Sequence, residues 1–185
     1  MSLVRSGIEV EQAVAALTWS PMPDMGAQHP AGQVVEEAVD GLCFVLSRTR
    51  AEGEGVLSSH GIEMPAGPSM LRVDEVCFPV GAIAHRHSHT GTGIRHLVRG
   101  SLRIEAEEHS KTMSVGDNWF EAAATPVRAV ALQTTGVSSF LRAMVIPASF
   151  AGKSTFTLVD PADADLPRLQ LTHRHIDLPL HSEAG

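Results

Sequence analysis

The sequence is short of positive charge and of aromatic side chains. Its 185 residues include 14 Lys and Arg against 21 Asp and Glu, and aromatic residues make up 4% of the chain. It contains no basic cluster and no basic run interleaved with aromatic residues, which are the usual marks of a nucleic-acid-binding protein. We therefore expect no nucleic-acid partner.

Long apolar runs and cysteines are also scarce. No stretch of about 18 uninterrupted apolar residues occurs, so we expect no membrane-spanning helix. Glu9 and Glu11 stand where a signal peptide would need an apolar run, and the protein is therefore expected in the cytoplasm. Cys43 and Cys77 each lie in an apolar segment of strand length, which favours two buried free thiols; a disulfide between them is the alternative.

Short apolar segments, separated by turn residues every 8 to 12 positions, make up most of the chain. Nothing between them has the length and pattern of the crossover helices that connect parallel strands, so the pattern is typical of a β-sandwich or barrel. These segments are 41–47, 70–78, 94–98, 102–105, 118–121, 127–132 and 139–146. The predicted fold class is all-β.

The chain divides into three predicted parts. Val10, Val14 and Leu17 recur at helical spacing within 9–19, which predicts a short helix at the start of an N-terminal part, residues 1–33. Residues 34–150 are expected to form one β-barrel. Residues 151–185 form a C-terminal extension, in which the alternating stretch 168–176 is a candidate strand that returns to the sheet.

Three histidines stand at alternate positions of one predicted strand. In a regular strand His85, His87 and His89 would share one face, with neighbouring pairs close enough to converge on one ion. Zn, Fe, Ni and Mn all accept imidazole, and stable metal sites generally use three or four protein ligands. His87 and His89 are therefore candidate metal ligands, and His85 or Glu121 could complete the site.

A second His-x-His pair, His173 and His175, lies in the C-terminal extension. It is a further source of metal ligands, but one alternating pair near a terminus is more typical of a solvated or interface strand. The first histidine stretch remains the stronger candidate.

The glycines and histidines of that stretch have the spacing of a known motif. The segment resembles the first motif of the cupin superfamily, G-x5-H-x-H-x3-E-x6-G: Gly81, His87, His89 and Gly100 are in place, whereas Gly93 stands where the family has a ligating Glu. The resemblance implies a double-stranded β-helix, the jelly-roll-like barrel of cupins, covering most of the chain.

The second cupin motif, G-x5-P-x-G-x2-H-x3-N, is matched only at its start. Gly116 is present, but Ala122 and Ala124 replace the Pro and Gly, Val127 replaces the ligating His, and Ala131 replaces the Asn. Two of the four metal ligands that the resemblance implies are therefore retained.

Two function hypotheses follow from the resemblance. In the first, the protein is a metal-binding cupin that acts on or binds a small molecule, such as an oxygenase, isomerase or lyase, with a divalent transition metal (Zn, Fe, Ni or Mn) held by the histidines. In the second, it is a non-catalytic cupin whose metal site has decayed, and it binds a small ligand or has a structural or regulatory role. The resemblance also implies a homodimer, and the apolar segment 42–46 would need cover outside the barrel.

Arg95 and Trp119 are the candidate substrate contacts. Arg95 lies two residues beyond Gly93 and should share its face, where a guanidinium would favour an anion such as a carboxylate-bearing small molecule. The alternative is an Arg whose charged end reaches the barrel rim. Trp119 is a candidate ligand contact, with core or rim packing as the alternative.

Overall fold

The computed structural model describes residues 1–23, 29–36, 41–107 and 109–180. Within these ranges the chain forms 15 β-strands in three sheets of five, in which all of the strand pairs are antiparallel. The helical elements there are two short 3₁₀ helices, Ala148–Phe150 and Pro161–Asp165. The all-β prediction is confirmed. Among the described residues no helix has the length and apolarity needed to cross a bilayer.

The first sheet, the N-terminal sheet, has the strand order β3-β2-β4-β1-β5. Its strands are β1 (Ser2–Arg5), β2 (Ala13–Pro21), β3 (Gly32–Val35), β4 (Leu42–Ser47) and β5 (Val56–Ser59). Strand β3 spans the boundary predicted at residues 33 and 34, so both sides of that boundary belong to one sheet.

The helix predicted at 9–19 is wrong, because most of this segment is strand β2. Leu17 and Trp19, two residues apart, are both buried, whereas Thr18 between them is only half-buried. This alternation is the period of a strand. Strand β2 pairs with β3 on one side and β4 on the other, which supplies its backbone with hydrogen-bond partners on both edges.

The other two sheets face each other. The central sheet has the order β11-β8-β13-β6-β15, and the distal sheet has the order β10-β9-β12-β7-β14. Their strands are β6 (Ser69–Pro79), β7 (Ile83–His89), β8 (Thr92–Arg99), β9 (Ser101–Glu105), β10 (Ser110–Ser114), β11 (Asn118–Glu121), β12 (Val127–Ala131), β13 (Val137–Pro147), β14 (Phe156–Leu158) and β15 (Leu171–Leu180).

The central sheet is buried on both faces. Leu71 and Val73 of β6 pack into a core shared with the N-terminal sheet, whereas Val76 and Phe78 of the same strand pack into a core shared with the distal sheet. Every residue of β6 from Ser69 to Phe78 is buried, as expected for a strand covered on both sides. The molecule therefore has three layers, with the central sheet in the middle.

The apolar segment 42–46 lies inside this arrangement. Strand β4 occupies the middle of the N-terminal sheet, and Phe44 and Leu46 belong to the core shared with the central sheet. The apolar side chains of this segment are therefore buried by the same chain. The need to bury them does not support a homodimer, and the homodimer remains a prediction.

The C-terminal extension contributes two edge strands. Strand β14 pairs with β7, and β15 pairs with β6 along its whole length, from Leu171 opposite Cys77 to Leu180 opposite Ser69. The candidate returning strand at 168–176 is therefore largely present as β15. Cys43 and Cys77 lie in different sheets and are free thiols, and burial raises the pKa of Cys77 to about 12.

Candidate ligand cavity

A cavity of about 400 Å³ lies between the central and distal sheets. Its apolar wall belongs to the core that these two sheets share. Polar groups from both sheets line the rest, together with a segment that we call the C-terminal strap, residues 154–174. The apolar wall is formed by Val76, Phe78, Ile104, Val127, Ala129 and Phe140.

Strand β7 places two imidazoles in this cavity. His87 and His89 are 5% and 7% exposed, and their Nε2 atoms lie 3.1 Å apart. The Nδ1 of His87 donates to the carbonyl oxygen of His85 at 2.7 Å, which fixes the orientation of its ring. The two candidate ligands retained from the motif therefore do converge.

His85 does not join them. The pairing of β7 with β12 shifts register, so that the three-residue step from Ala84 to His87 lies opposite a two-residue step on β12. This β-bulge brings Ala84 and His87 to the cavity side, and the lining does not include His85. Its Nε2 lies 3.3 Å from the carbonyl oxygen of Pro167, in an exposed position.

A buried ion pair that sequence reasoning missed adjoins the imidazoles. Arg142 of β13 and Asp74 of β6 are direct cross-strand partners, joined by two hydrogen bonds of 2.8 Å. The remaining guanidinium nitrogen of Arg142, Nη1, donates to Nε2 of His89 at 3.1 Å. The available signal was that charged residues lie inside largely apolar strand segments, because such residues are rarely buried unless they are paired.

A second ion pair lies in the same cavity. Arg95, which is 1% exposed, donates from Nη2 to Glu121 at 2.8 Å and from Nη1 to the carbonyl oxygen of Gly93 at 2.7 Å. The other carboxylate oxygen of Glu121 accepts the indole N–H of Trp119 at 2.8 Å. Arg95, Glu121 and Trp119 therefore all line the cavity, but their polar groups are largely engaged with one another.

Burial and neighbouring positive charge keep both imidazoles neutral. Burial, followed by the charges of Arg142 and Arg95, lowers the pKa of His89 far below its ordinary value. Burial also lowers the pKa of His87, against the opposing effect of its hydrogen bond to the His85 carbonyl. Neutral imidazoles have one lone pair each, available to a metal ion or to a hydrogen-bond donor.

Apart from the two imidazoles, the cavity residues do not fit a divalent transition metal. Asp74 and Glu121 are each held by an arginine, and Val127 has no donor atom. Arg142 directs a positively charged group at the lone pair of His89, which opposes a second cation there. Among the described residues no group of three or more His, Cys, Asp and Glu side chains could hold a metal ion.

Gly93 also leaves no room for the ligand that the motif would place there. A Cβ atom built on Gly93 would overlap the carbonyl oxygen of Ala143 on the neighbouring strand β13. The absence of a carboxylate at this position is therefore built into the close approach of β8 and β13.

The C-terminal strap forms the remaining side of the cavity. Phe156 stacks on the ring of His87 with 4.3 Å between centroids, and the guanidinium carbon of Arg168 lies 5.6 Å from the centroid of Phe156. Arg168 and Arg174 are exposed, so this side faces solvent. The side-chain oxygen of Gln170 is buried without a hydrogen-bond partner within the described structure.

The second histidine pair lies elsewhere. Neither His173 nor His175 is among the residues that line the cavity. The Nε2 of His175 lies 3.8 Å from a carboxylate oxygen of Glu75, a buried residue whose two oxygens both accept the backbone N–H of Ala31 at 2.8 Å.

No protein-family model and no curated protein matches the sequence. Solved structures do match over part of the chain. An RmlC-like cupin from Shewanella frigidimarina is 18% identical, with a TM-score of 0.38, over 43% of this chain and 68% of that one. KdgF from Halomonas sp. is 28% identical, with a TM-score of 0.34, over 39% and 68%. The DMSP lyase DddQ from Ruegeria pomeroyi is 18% identical, with a TM-score of 0.43, over 50% and 44%. Proteins described as cupins are thus among the solved structures to which the chain is similar.

Proposed function

We propose that this protein binds a small molecule with an apolar or aromatic body and a carboxylate group, without the help of a metal ion. One observation carries the proposal: a single cavity combines an apolar wall with arginines at its solvent-facing side. This is the second of the two functions that the sequence suggested.

The apolar wall supports the apolar body. Its side chains include Phe78 and Phe140, and the ring of Trp119 packs against Phe140 with 5.1 Å between centroids. Each 100 Å² of apolar ligand surface buried here contributes roughly 2.5 kcal/mol. An aromatic ring is of a size that this cavity can accept.

The balance of charge supports the carboxylate. The lining contains four arginines and two carboxylates, and the pairs Arg142–Asp74 and Arg95–Glu121 cancel. Arg168 and Arg174 add two positive charges on the strap side. A guanidinium can hold a carboxylate through two parallel hydrogen bonds, which favours an anion at this end.

Calorimetric titration of phenylacetate, 3-phenylpropanoate and hexanoate, each beside its uncharged amide, tests the proposal. At least one carboxylate should bind about 10-fold more tightly than its amide, which corresponds to about 1.4 kcal/mol. The double variant Arg168→Ala/Arg174→Ala should lose this preference. Arg103→Ala is the control, because Arg103 pairs with Glu105 on strand β9 and does not line the cavity. Equal binding of acids and amides, or no binding at all, would refute the proposal.

The competing function is a metal-dependent activity at His87 and His89, and the observation that favours it is the 3.1 Å separation of their Nε2 atoms. Elemental analysis of protein purified without a His-tag separates the two. We expect less than about a tenth of an equivalent of transition metal, unchanged in His87→Ala. Near-stoichiometric metal that is lost in His87→Ala would establish the metal function instead.

A further inference from the structure

The hydrogens on the two buried imidazoles follow from their contacts. His87 Nδ1 contacts a carbonyl oxygen, which can only accept, so Nδ1 carries the hydrogen of the neutral ring. A neutral imidazole has one N–H, and the Nε2 of His87 is therefore unprotonated and has a lone pair that can accept a hydrogen bond.

The same reasoning applies to His89. A guanidinium has N–H donors and no acceptor, so the Nε2 of His89 must accept from Arg142. Its hydrogen then lies on Nδ1, 3.3 Å from the hydroxyl oxygen of Thr155. The two Nε2 atoms thus face each other at 3.1 Å with no hydrogen between them.

These assignments leave one buried acceptor without a donor. Arg142 donates a hydrogen bond to His89. No described residue donates to Nε2 of His87, which is directed at His89 and the cavity. Leaving a buried acceptor unpaired is unfavourable, and a ligand that brings a donor to this point removes that penalty on binding.

The pairing of the charges near His87 selects the kind of donor. Asp74 and Glu121 are already engaged by Arg142 and Arg95, so an ammonium group would be buried here without a carboxylate of its own. A neutral hydroxyl carries no charge to compensate and donates a hydrogen bond.

We propose that the ligand carries a hydroxyl group that donates to Nε2 of His87, so that the ligand class is a carboxylate with a hydroxyl at its opposite end. This inference rests on the proposed function, which supplies the carboxylate end at the strap. Phe156 contacts both His87 and Arg168, so the residues proposed to hold the two ends of the ligand adjoin the same aromatic ring.

Calorimetric titration with 4-hydroxyphenylacetate, phenylacetate and 4-methoxyphenylacetate tests this inference. The hydroxylated acid should bind about 10-fold more tightly than phenylacetate, and the methoxy compound, which has no donor, should bind no more tightly than phenylacetate. His87→Leu should abolish the preference for the hydroxyl. His85→Leu, a change two residues away and outside the lining, should retain it.

A nitrogen NMR measurement on the unmodified protein covers the case in which His87→Leu does not fold. The Nε2 signal of His87 should have the shift of an unprotonated nitrogen, and it should move on addition of 4-hydroxyphenylacetate but not of phenylacetate. Equal affinity for the three acids would overturn this inference and leave the proposed function standing. If none of the three acids, nor any other carboxylate tested, binds, both fail. Stoichiometric metal on His87 would also overturn it.

Discussion

At the scale of single residues, the cavity is organised by charges buried in pairs. Asp74 and Arg142 lie opposite each other on β6 and β13, and each of the two hydrogen bonds between them is 2.8 Å long. Removing two charges from water is costly, and only good pairing geometry offsets that cost. The pair also fixes which nitrogen of His89 carries its hydrogen, so a pair that contributes little net stability still determines how the cavity can bind.

We predict that Asp74→Asn lowers the free energy of unfolding by about 3–5 kcal/mol, because it leaves the buried guanidinium of Arg142 without its counter-charge. Urea unfolding followed by circular dichroism measures the loss. Glu107→Gln is the matched control: Glu107 pairs with Arg86 at 2.9 Å, but its side chain is 65% exposed, and the change should cost less than about 1 kcal/mol. Similar small losses in both variants would show that the Asp74–Arg142 pair is not needed.

Sequence reasoning located much of this cavity but not its bonding. His87, His89, Arg95, Trp119 and Glu121 were all singled out, and all line the cavity. The partners in the Arg142–Asp74 ion pair could not be predicted, because they lie on strands 68 positions apart in the sequence. Register between distant strands depends on packing that a local pattern does not contain.

At the scale of elements, local pairing and a departure from regular strand geometry account for the wrong helix prediction and for the position of His85. The segment 9–19 has apolar residues at both helical and alternating spacing. It forms mainly a strand because its backbone pairs with β3 and β4. The histidine stretch was correctly placed on a strand, but the bulge in β7 moved His85 out of the cavity lining. A bulge of one residue inverts the faces of every residue beyond it, and an alternating sequence gives no sign of it.

The close contact between β8 and β13 gives a prediction at this scale. Gly93→Ala should lower the free energy of unfolding by about 1–3 kcal/mol or more, because the added methyl group would overlap the Ala143 carbonyl oxygen. The control is Gly61→Ala, where an added Cβ meets no atom within 4 Å, and its effect should stay within about 0.5 kcal/mol. Thermal and urea unfolding measure both. If Gly93→Ala were as stable as Gly61→Ala, the space at residue 93 would be large enough for a side chain, and the steric reason for the missing ligand would be lost.

At the scale of the whole molecule, the sequence predicted sheets but not the layer formed by strands β1 to β5. The boundary expected between residues 33 and 34 falls inside strand β3 of this layer. Strand β1 pairs with β4 and β5, which lie about 40 to 57 residues further along the chain. The N-terminal sheet then covers the central sheet through a shared apolar core that includes Phe44 and Leu141.

Because that core joins the N-terminal sheet to the central sheet, we predict that the N-terminal sheet unfolds together with the other two sheets. The chain has two tryptophans, and they report on different sheets. Trp19 is buried in the N-terminal sheet, and Trp119 lines the cavity from β11 of the central sheet. In the variant Trp119→Phe, the fluorescence of Trp19 follows unfolding of the N-terminal sheet. In the variant Trp19→Phe, the fluorescence of Trp119 follows unfolding of the central sheet. Within each variant, the urea midpoint from fluorescence should equal the midpoint from circular dichroism, which follows all three sheets. This comparison within one variant removes the effect of the substitution itself on stability. A fluorescence midpoint for Trp19 below the midpoint from circular dichroism would mean that the N-terminal sheet unfolds first, and that this sheet is a separate unit rather than a layer of one fold.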